Sequence, residues 1–185
     1  MRKAAAAARP VLFSARTSML RVVSGALIRD GYVLMGLRKK TAYRPDLWEL
    51  PGGKIDPGES PTQALAREWH EECGCIVLPG AFISMAMIQI DISFVIELYA
   101  IELAAMSTPP RALDHQELRW VNPLYAVRSM PCSPAFYSHY RHLAQHIEAT
   151  QPMSSCDVVG DSGCTFEECP RCHPLARPVV ALGEL

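Results

Sequence analysis

The chain has 185 residues, of which 49% are hydrophobic and 20% are charged, and its formal net charge is −1. This length accommodates one hydrophobic core and does not suggest two. The near-neutral charge argues against a nucleic acid polymer as partner, and no apolar run reaches the ~18 residues of a membrane span.

Residues 1–19 differ in composition from the rest of the chain. They include four basic residues and an alanine run, and they contain no acidic residue. This pattern is compatible with an organelle transit peptide, with a disordered extension, or with a true start at Met19. We favour the last two over a transit peptide. No long apolar segment supports secretion. We therefore expect reduced thiols and a cytoplasmic location, or a mitochondrial one if residues 1–21 are a transit peptide.

The folded domain is predicted to span residues 20–150 and to begin with a hairpin. Leu20 to Ile28 and Tyr32 to Arg38 have the pattern of strands, and Asp30-Gly31 between them is a strong hairpin signal. Further strands are predicted over residues 76–88, 91–103 and 118–121, and a closing helix over residues 134–149.

The segment from Gly53 to Cys75 places three acids in one predicted helix, after a glycine-rich loop. Residues spaced i, i+3 and i+4 share a helix face, so Glu68, Glu71 and Glu72 should lie together. Their carboxylates repel one another unless a cation binds among them. Hard oxygen ligands suit magnesium, which completes its coordination with water and substrate phosphates. The spacing therefore predicts a site for a metal–phosphate complex.

The same helix has clear start signals and an apolar stripe. Ser60 is a good N-cap, Pro61 suits the first helical position, and Gln63 completes a capping box. The face opposite the acids should be buried through three residues at i, i+4 and i+8, which are Leu65, Trp69 and Cys73.

The final segment, residues 151–185, is rich in cysteine. Four of the seven cysteines lie here, and Cys169-x-x-Cys172 has the spacing of zinc ligands, which Cys164 or Cys156 would complete. The preferred zinc set is Cys164, Cys169 and Cys172. The spacing is irregular and glycine and proline lie nearby, so we favour an unstructured tail over a zinc site. A haem-attachment pattern ending at His173 is taken as coincidence, because no export signal is present.

The acid-rich segment resembles the Nudix box, G-x5-E-x7-R-E-U-x-E-E-x-G-U, where U is a bulky apolar residue. Its fixed positions are occupied by Gly53, Glu59, Arg67, Glu68, Glu71, Glu72 and Gly74. Trp69 and Cys75 occupy the U positions, where aliphatic residues are commoner. Upstream, residues 48–54 resemble the entry to the box in MutT-type nucleoside triphosphate pyrophosphatases. The resemblance implies an α/β fold, the Nudix α/β/α sandwich with a mixed β-sheet, where periodicity alone indicates only α+β or α/β.

The resemblance also implies roles for the acids of the box. Glu68, Glu71 and Glu72 would ligate Mg2+, for which Mn2+ is a possible substitute, with help from a backbone carbonyl at Gly52 or Gly53. Glu68 also matches the position proposed as general base in the MutT type. Arg67 would orient a box carboxylate through its planar fork, and Glu59 would have a supporting electrostatic or structural role.

Outside the helix, the resemblance implies substrate contacts and one further acid. Arg38 matches a phosphate-contacting arginine of the MutT type. We expect Gly52, Gly53 and Lys54 to contact the substrate as well. Asp114 matches an acid that reaches back to the metal ions. Glu117 competes with it, and we prefer Asp114.

The substrate is inferred partly by elimination. Downstream markers of ADP-ribose, diadenosine polyphosphate and NADH hydrolases are absent, which points to a nucleoside triphosphate cleaved to a monophosphate and pyrophosphate, in nucleotide pool sanitation. MutT-type enzymes read 8-oxo-guanine partly with an asparagine in a turn before the last helix. The turn that resembles it here, from Met130 to Pro134, has no asparagine, which argues against that base. The alternatives are another nucleoside diphosphate-X substrate or a non-catalytic nucleotide-binding module. A monomer and a homodimer are both compatible with the sequence.

Overall fold

The computed structural model describes residues 19–89, 93–151 and 179–183. Its strands are β1 (Leu20–Arg29), β2 (Tyr32–Arg38), β3 (Trp48–Glu49), β4 (Gly52–Lys54), β5 (Val77–Gln89), β6 (Ser93–Leu103), β7 (His115–Val121) and β8 (Val179–Ala181). Its helices are α1 (Pro61–Cys73), α2 (Pro123–Ser129) and α3 (Pro134–Thr150). None of these helices is both long and apolar enough to span a membrane.

The strands form one mixed sheet in the order β5-β6-β1-β2-β7-β8. β1 runs parallel to β6, and the pairs along the rest of the sheet are antiparallel. The short strands β3 and β4 pair with β2 and β1 away from this path. Since successive residues of β1 point to opposite faces, the strand contributes to two separate cores. The mixed sheet predicted from the sequence is confirmed.

Helices cover both faces of the sheet. On one face, α1 packs Leu65, Trp69 and Cys73 against Val23 and Leu27 of β1. On the other face, the buried residues of α3 pack with residues of β1, β2 and β6, and the main participants are Phe136, Leu143, Ile147, Ala26, Met35 and Leu98. This arrangement is the α/β/α sandwich that the sequence predicts.

The predicted hairpin is confirmed, with a tight two-residue turn. Asp30 and Gly31 have φ values of 49° and 80°, and Arg29 pairs with Tyr32 across the turn. Two consecutive positive φ values define the turn type that matches the right-handed twist of the strands. Elsewhere, β7 begins at His115 rather than Leu118, and β3, β4 and α2 were not predicted.

The two ends of the chain fall largely outside the described residues. Residues 1–18 and the tail cysteines Cys156, Cys164, Cys169 and Cys172 belong to that part. Within the predicted tail, Val179–Ala181 form β8, in which Val179 pairs with Val121 of β7. At the end of α3, the Gln151 side-chain oxygen accepts a hydrogen bond of 3.1 Å from the Gly31 N–H.

Candidate active site

A glycine pair brings the backbone of β4 close to both the sheet and α1. A Cβ atom on Gly52, which has a φ of 150°, would lie 2.2 Å from the Val23 carbonyl oxygen. A Cβ atom on Gly53 would lie 2.3 Å from the carboxyl carbon of Glu68. Because only glycine permits both approaches, this loop holds its backbone directly against an acid of the helix.

The helix that carries the acids begins and ends where the sequence predicts. Ser60 Oγ accepts from the Gln63 N–H at 3.2 Å, and the Gln63 side chain accepts from the Ser60 N–H at 2.9 Å. The helix stops at Gly74, whose φ of 65° suits glycine. Burial of the Leu65, Trp69 and Cys73 stripe turns the opposite face outward and exposes the acids to the site.

Arg67 is the hub of the acidic cluster. Its Nε and Nη2 donate to the two oxygens of Glu59 at 3.1 and 3.0 Å, and Nη1 donates to Glu68 at 2.9 Å and to Glu71 at 3.3 Å. Nη2 also donates to the Lys54 carbonyl at 2.9 Å, which ties the loop to the helix. This hydrogen bonding lowers the pKa of Glu59 and raises that of Arg67. Arg67 therefore bonds three acids of the box, and its orienting role in the reaction stays a prediction.

The three acids of the helix have different environments. Burial raises the pKa of Glu68, whose side chain is 14% exposed. The Glu72 carboxylate accepts from the Gly52 N–H at 2.9 Å, and its burial raises its pKa to about 7 despite that bond. Glu71 is 57% exposed at the rim. The site therefore contains two desolvated carboxylates whose negative charges a cation would stabilise.

The donor set suits a hard divalent cation, although the side chains do not surround one as they stand. Among the described residues, no three Asp, Glu, His or Cys side chains are arranged to hold a metal ion. Arg67 bonds Glu68 and Glu71, and the Gly52 N–H bonds Glu72. Glu49 and Glu68 nevertheless both raise the pKa of Glu72, because their charges repel its own. A cation that relieves this repulsion fits the residues present.

Two residues near Glu72 were not assigned a role from the sequence. Glu49 lies with Oε1 3.6 Å from Nε2 of His115, and His115 is only 4% exposed. His115 packs against Gly36, where a Cβ atom would lie 2.3 Å from the imidazole ring. Its charge, when present, lowers the pKa of Glu72. Glu49 stands in the quoted entry to the box, whereas no spacing in the sequence singles out His115.

The residues predicted outside the helix occupy different places. Lys54 and Arg38 line the cavity described below, and the Arg38 guanidinium pairs with Glu49. The Asp114 side chain is 65% exposed and pairs with Lys39 Nζ at 2.7 Å. Its backbone N–H donates to the Glu72 carbonyl, which keeps this loop beside the end of α1. Asp114 is not among the cavity-lining residues, and its metal contact stays a prediction.

A cavity of about 540 Å3 opens beside the acids. One end has the backbone from Gly52 to Lys54 together with Glu68 and Glu72, and the apolar wall comes from Leu20, Val22, Ile88 and Phe94. Ser133, Pro134 and Ala135 at the start of α3 also line the cavity. The cavity thus combines an acidic end with an apolar chamber, and with a cation bound among the acids it would suit an anionic ligand with a flat organic part.

Comparison with known proteins agrees with this geometry. The NUDIX domain profile matches residues 19–131. A CTP pyrophosphohydrolase of Escherichia coli (strain K12) is 33% identical over 117 residues, which cover 63% of this chain and 85% of the relative. An 8-oxo-dGTP diphosphatase of Haemophilus influenzae is 60% identical over 58 residues, which cover 30% of this chain and 43% of that protein. The crystal structure of a MutT NUDIX hydrolase from Burkholderia pseudomallei superposes with a TM-score of 0.59 at 25% identity, covering 67% of this chain and 97% of that one. The chain therefore belongs to the Nudix hydrolase family and is one of its MutT-like members.

Proposed function

We propose that this hydrolase cleaves a nucleoside triphosphate to a monophosphate and pyrophosphate, with Mg2+ as its metal ion. The observation that carries the proposal is the pairing of two desolvated carboxylates, Glu68 and Glu72, with the Gly52-Gly53 backbone at one end of the cavity. The phosphate chain would lie at this end, and the nucleoside would fill the apolar chamber. The relatives named as CTP and 8-oxo-dGTP hydrolases support a triphosphate substrate.

Hydrolysis of a triphosphate requires charge neutralisation and an oriented water molecule, because the phosphate chain repels nucleophiles. Glu68, Glu71 and Glu72 would hold the metal ion, which supplies Lewis acidity to the phosphate oxygens and lowers the pKa of a bound water. Glu71 accepts a hydrogen bond of 3.3 Å from Arg67 and is the exposed member of this set. The chain itself supplies orientation and proton transfer.

The residues of the chain have separate tasks in this mechanism. Arg67 fixes Glu68, which would accept a proton of the attacking water as the water oxygen bonds to phosphorus and the phosphoanhydride bond breaks, giving monophosphate and pyrophosphate. The Gly52 N–H holds the Glu72 carboxylate in one orientation. Lys54 stands at the cavity wall and would neutralise a phosphate oxygen. Glu59 acts on the reaction only through Arg67, whose fork it engages with both oxygens.

The start of α3 lines the cavity and would face the base. Ser133 caps this helix without a side-chain hydrogen bond to it, so its hydroxyl can serve a ligand. A hydroxyl offers less than the donor-and-acceptor pair of an amide, so we do not assign 8-oxo-guanine as the base. The same geometry is compatible with action on the free nucleotide pool of the cytoplasm.

The proposal is tested by measuring pyrophosphate and phosphate release in the presence of Mg2+. The panel contains normal and oxidised (d)NTPs, ADP-ribose, NADH, diadenosine polyphosphates and nucleotide sugars. We expect pyrophosphate release from a triphosphate, its loss in Glu68→Gln and Glu72→Gln, and its loss in EDTA with recovery on adding Mg2+ or Mn2+. Glu102→Gln is the matched control, since Glu102 is an exposed acid outside the cavity.

Other outcomes of the panel would reject parts of the proposal. Turnover of diphosphate-X substrates alone would keep the hydrolase and replace the substrate class. Normal turnover in both Glu68→Gln and Glu72→Gln would remove the assignment of the helix acids.

A further inference from the structure

The loop between β2 and β3, residues 39–47, forms one wall of the cavity. Tyr43, Arg44 and Leu47 of this loop are among the lining residues. Arg44 and Asp46 have φ values of 57° and 58°, in the left-handed region that non-glycine residues seldom adopt. Such a backbone persists only where surrounding contacts impose it, so this wall must be held by contacts from other elements.

Arg38 provides those contacts from the end of β2. Its Nη2 donates to the Tyr43 carbonyl at 2.7 Å, and its Nε lies 3.1 Å from that oxygen and 3.2 Å from the Arg44 carbonyl. Its own backbone N–H donates to the Leu47 carbonyl at 3.0 Å, and its carbonyl accepts from the Asp46 N–H. One residue therefore grips the loop through both its side chain and its backbone.

Glu49 fixes the guanidinium in this position. Both Glu49 oxygens accept from Arg38 Nη1, at 2.7 and 2.5 Å, and the two side chains are only 26% and 20% exposed. Gln116 adds a second tie from β7, since its Nε2 donates to the Arg38 carbonyl at 2.6 Å and to Asp46 Oδ1 at 2.7 Å. All three guanidinium nitrogens are engaged by groups of the protein.

We propose that Arg38 and Glu49 form a positioning clamp that holds the 39–47 loop as the nucleoside wall of the cavity, and that Arg38 is not a phosphate ligand. The proposal rests on the proposed function for the identity of the substrate. It differs from what the family resemblance implies for Arg38. The acidic lining, where the phosphates would bind, comes from Gly52, Gly53, Lys54, Glu68 and Glu72, none of which belongs to the loop.

A lysine substitution separates the two roles. Lysine keeps a positive charge that would still attract a phosphate. It lacks the planar fork that donates to Glu49 and to two carbonyl oxygens at the same time. A clamp therefore fails in Arg38→Lys as completely as in Arg38→Ala, whereas a phosphate contact survives in Arg38→Lys. Lys40→Gln is the matched control, because Lys40 is a cation of the same loop whose side chain is 78% exposed.

The experiment measures the KM and kcat of the preferred nucleotide, the inhibition constants of pyrophosphate and the nucleoside monophosphate, and hydrogen exchange of residues 39–47. We expect Arg38→Lys and Arg38→Ala each to raise KM and the monophosphate constant about tenfold or more. Both should speed exchange of the loop, with the pyrophosphate constant within about twofold of wild type. Glu49→Gln should also speed exchange of the loop and add nothing to that exchange in the Arg38→Ala background, and Lys40→Gln should match wild type.

The opposite pattern overturns the clamp. If Arg38→Lys keeps the wild-type KM and loop exchange while Arg38→Ala weakens pyrophosphate, Arg38 is a phosphate ligand. Unchanged loop exchange in both variants also rejects the proposal. Hydrogen exchange needs no substrate, and the kinetic comparison can be made on whichever nucleotide is cleaved. A failure of the triphosphate assignment is therefore distinguishable from a failure of the clamp.

Discussion

Replacing Glu72 by glutamine should stabilise the metal-free protein at alkaline pH even though it removes activity. The Glu72 carboxylate is desolvated, Glu49 and Glu68 add repulsion, and the Gly52 N–H donates a hydrogen bond to it. Glutamine retains an acceptor oxygen for that N–H and carries no charge to desolvate. The ionised Glu72 carboxylate therefore destabilises the metal-free protein.

The size and sign of this cost follow from the pKa. Burial raises the pKa of Glu72 from 4.5 to about 7, so the folded protein binds this proton more tightly than the unfolded chain does. Stability from the bound proton is complete below pH 4.5 and is lost as the pH rises through about 7. Each unit of difference between the folded and unfolded pKa corresponds to about 1.4 kcal/mol, so at pH 8 the ionised carboxylate lowers the free energy of unfolding by about 3 kcal/mol.

Urea unfolding in EDTA at pH 4.5 and pH 8 tests this reasoning. The free energies of unfolding of wild type and Glu72→Gln should differ by less than about 0.5 kcal/mol at pH 4.5. At pH 8 the variant should be more stable by about 3 kcal/mol, which raises its urea midpoint by about 1–3 M. Glu71→Gln is the control on the same helix. Glu71 is 57% exposed, and its replacement should change stability by under about 0.5 kcal/mol at either pH. Equal midpoints for wild type and Glu72→Gln at pH 8 would refute the argument.

Three further substitutions probe the glycines and the hub of the site. Gly53→Ala would place a methyl group against the flexible end of the Glu68 side chain. The variant should keep its fold by circular dichroism and lose about 100-fold in kcat, and an unchanged kcat would contradict this expectation. Gly36→Ala would press on the rigid His115 ring; urea unfolding should show a loss of about 2–3 kcal/mol, and an unchanged midpoint would mean that the ring moves freely. Arg67→Lys should lower kcat about 100-fold because lysine lacks the fork that serves several carboxylates, and a wild-type kcat would show that orientation of Glu68 does not limit the reaction.

Local signals in the sequence were sufficient to predict α1 and its acids. The capping box of Ser60 and Gln63 and the buried stripe through Trp69 depend on residues within a few turns of one another. The hairpin at Asp30-Gly31 is equally local. Such elements are predictable because each pattern specifies its own hydrogen bonds without help from the rest of the fold.

Other elements exist only through distant partners. β3 has only two residues, and it is a strand because its backbone pairs with β2.

α2 was missed for a different reason. It has a local start signal, because the Asn122 side chain accepts from the Leu124 and Tyr125 N–H groups, but its seven residues are too few to show a helical apolar period.

The contacts around Glu72 were similarly beyond the reach of the sequence. Glu49, His115 and Arg38 come from three separate segments, and no spacing in the chain relates them. The sequence also does not indicate which of two neighbouring residues at the start of a strand points inward. His115 is 4% exposed whereas the Asp114 side chain is 65% exposed, because alternate residues face opposite sides.

The pairing of β8 with β7 allows the chain to be re-engineered away from the site. Gln151 contacts Gly31, and Val179 pairs with Val121, which in turn pairs with Val33. The two described residues that flank positions 152–178, a stretch of 27 residues, therefore meet at one corner. That corner is about 20 Å along β1 from the residues that line the cavity, at about 3.3 Å per residue. Closure entropy varies slowly with length, so a nine-residue linker would change stability by about 1 kcal/mol, and the corner suits insertion of a fluorescent label or a surface tether.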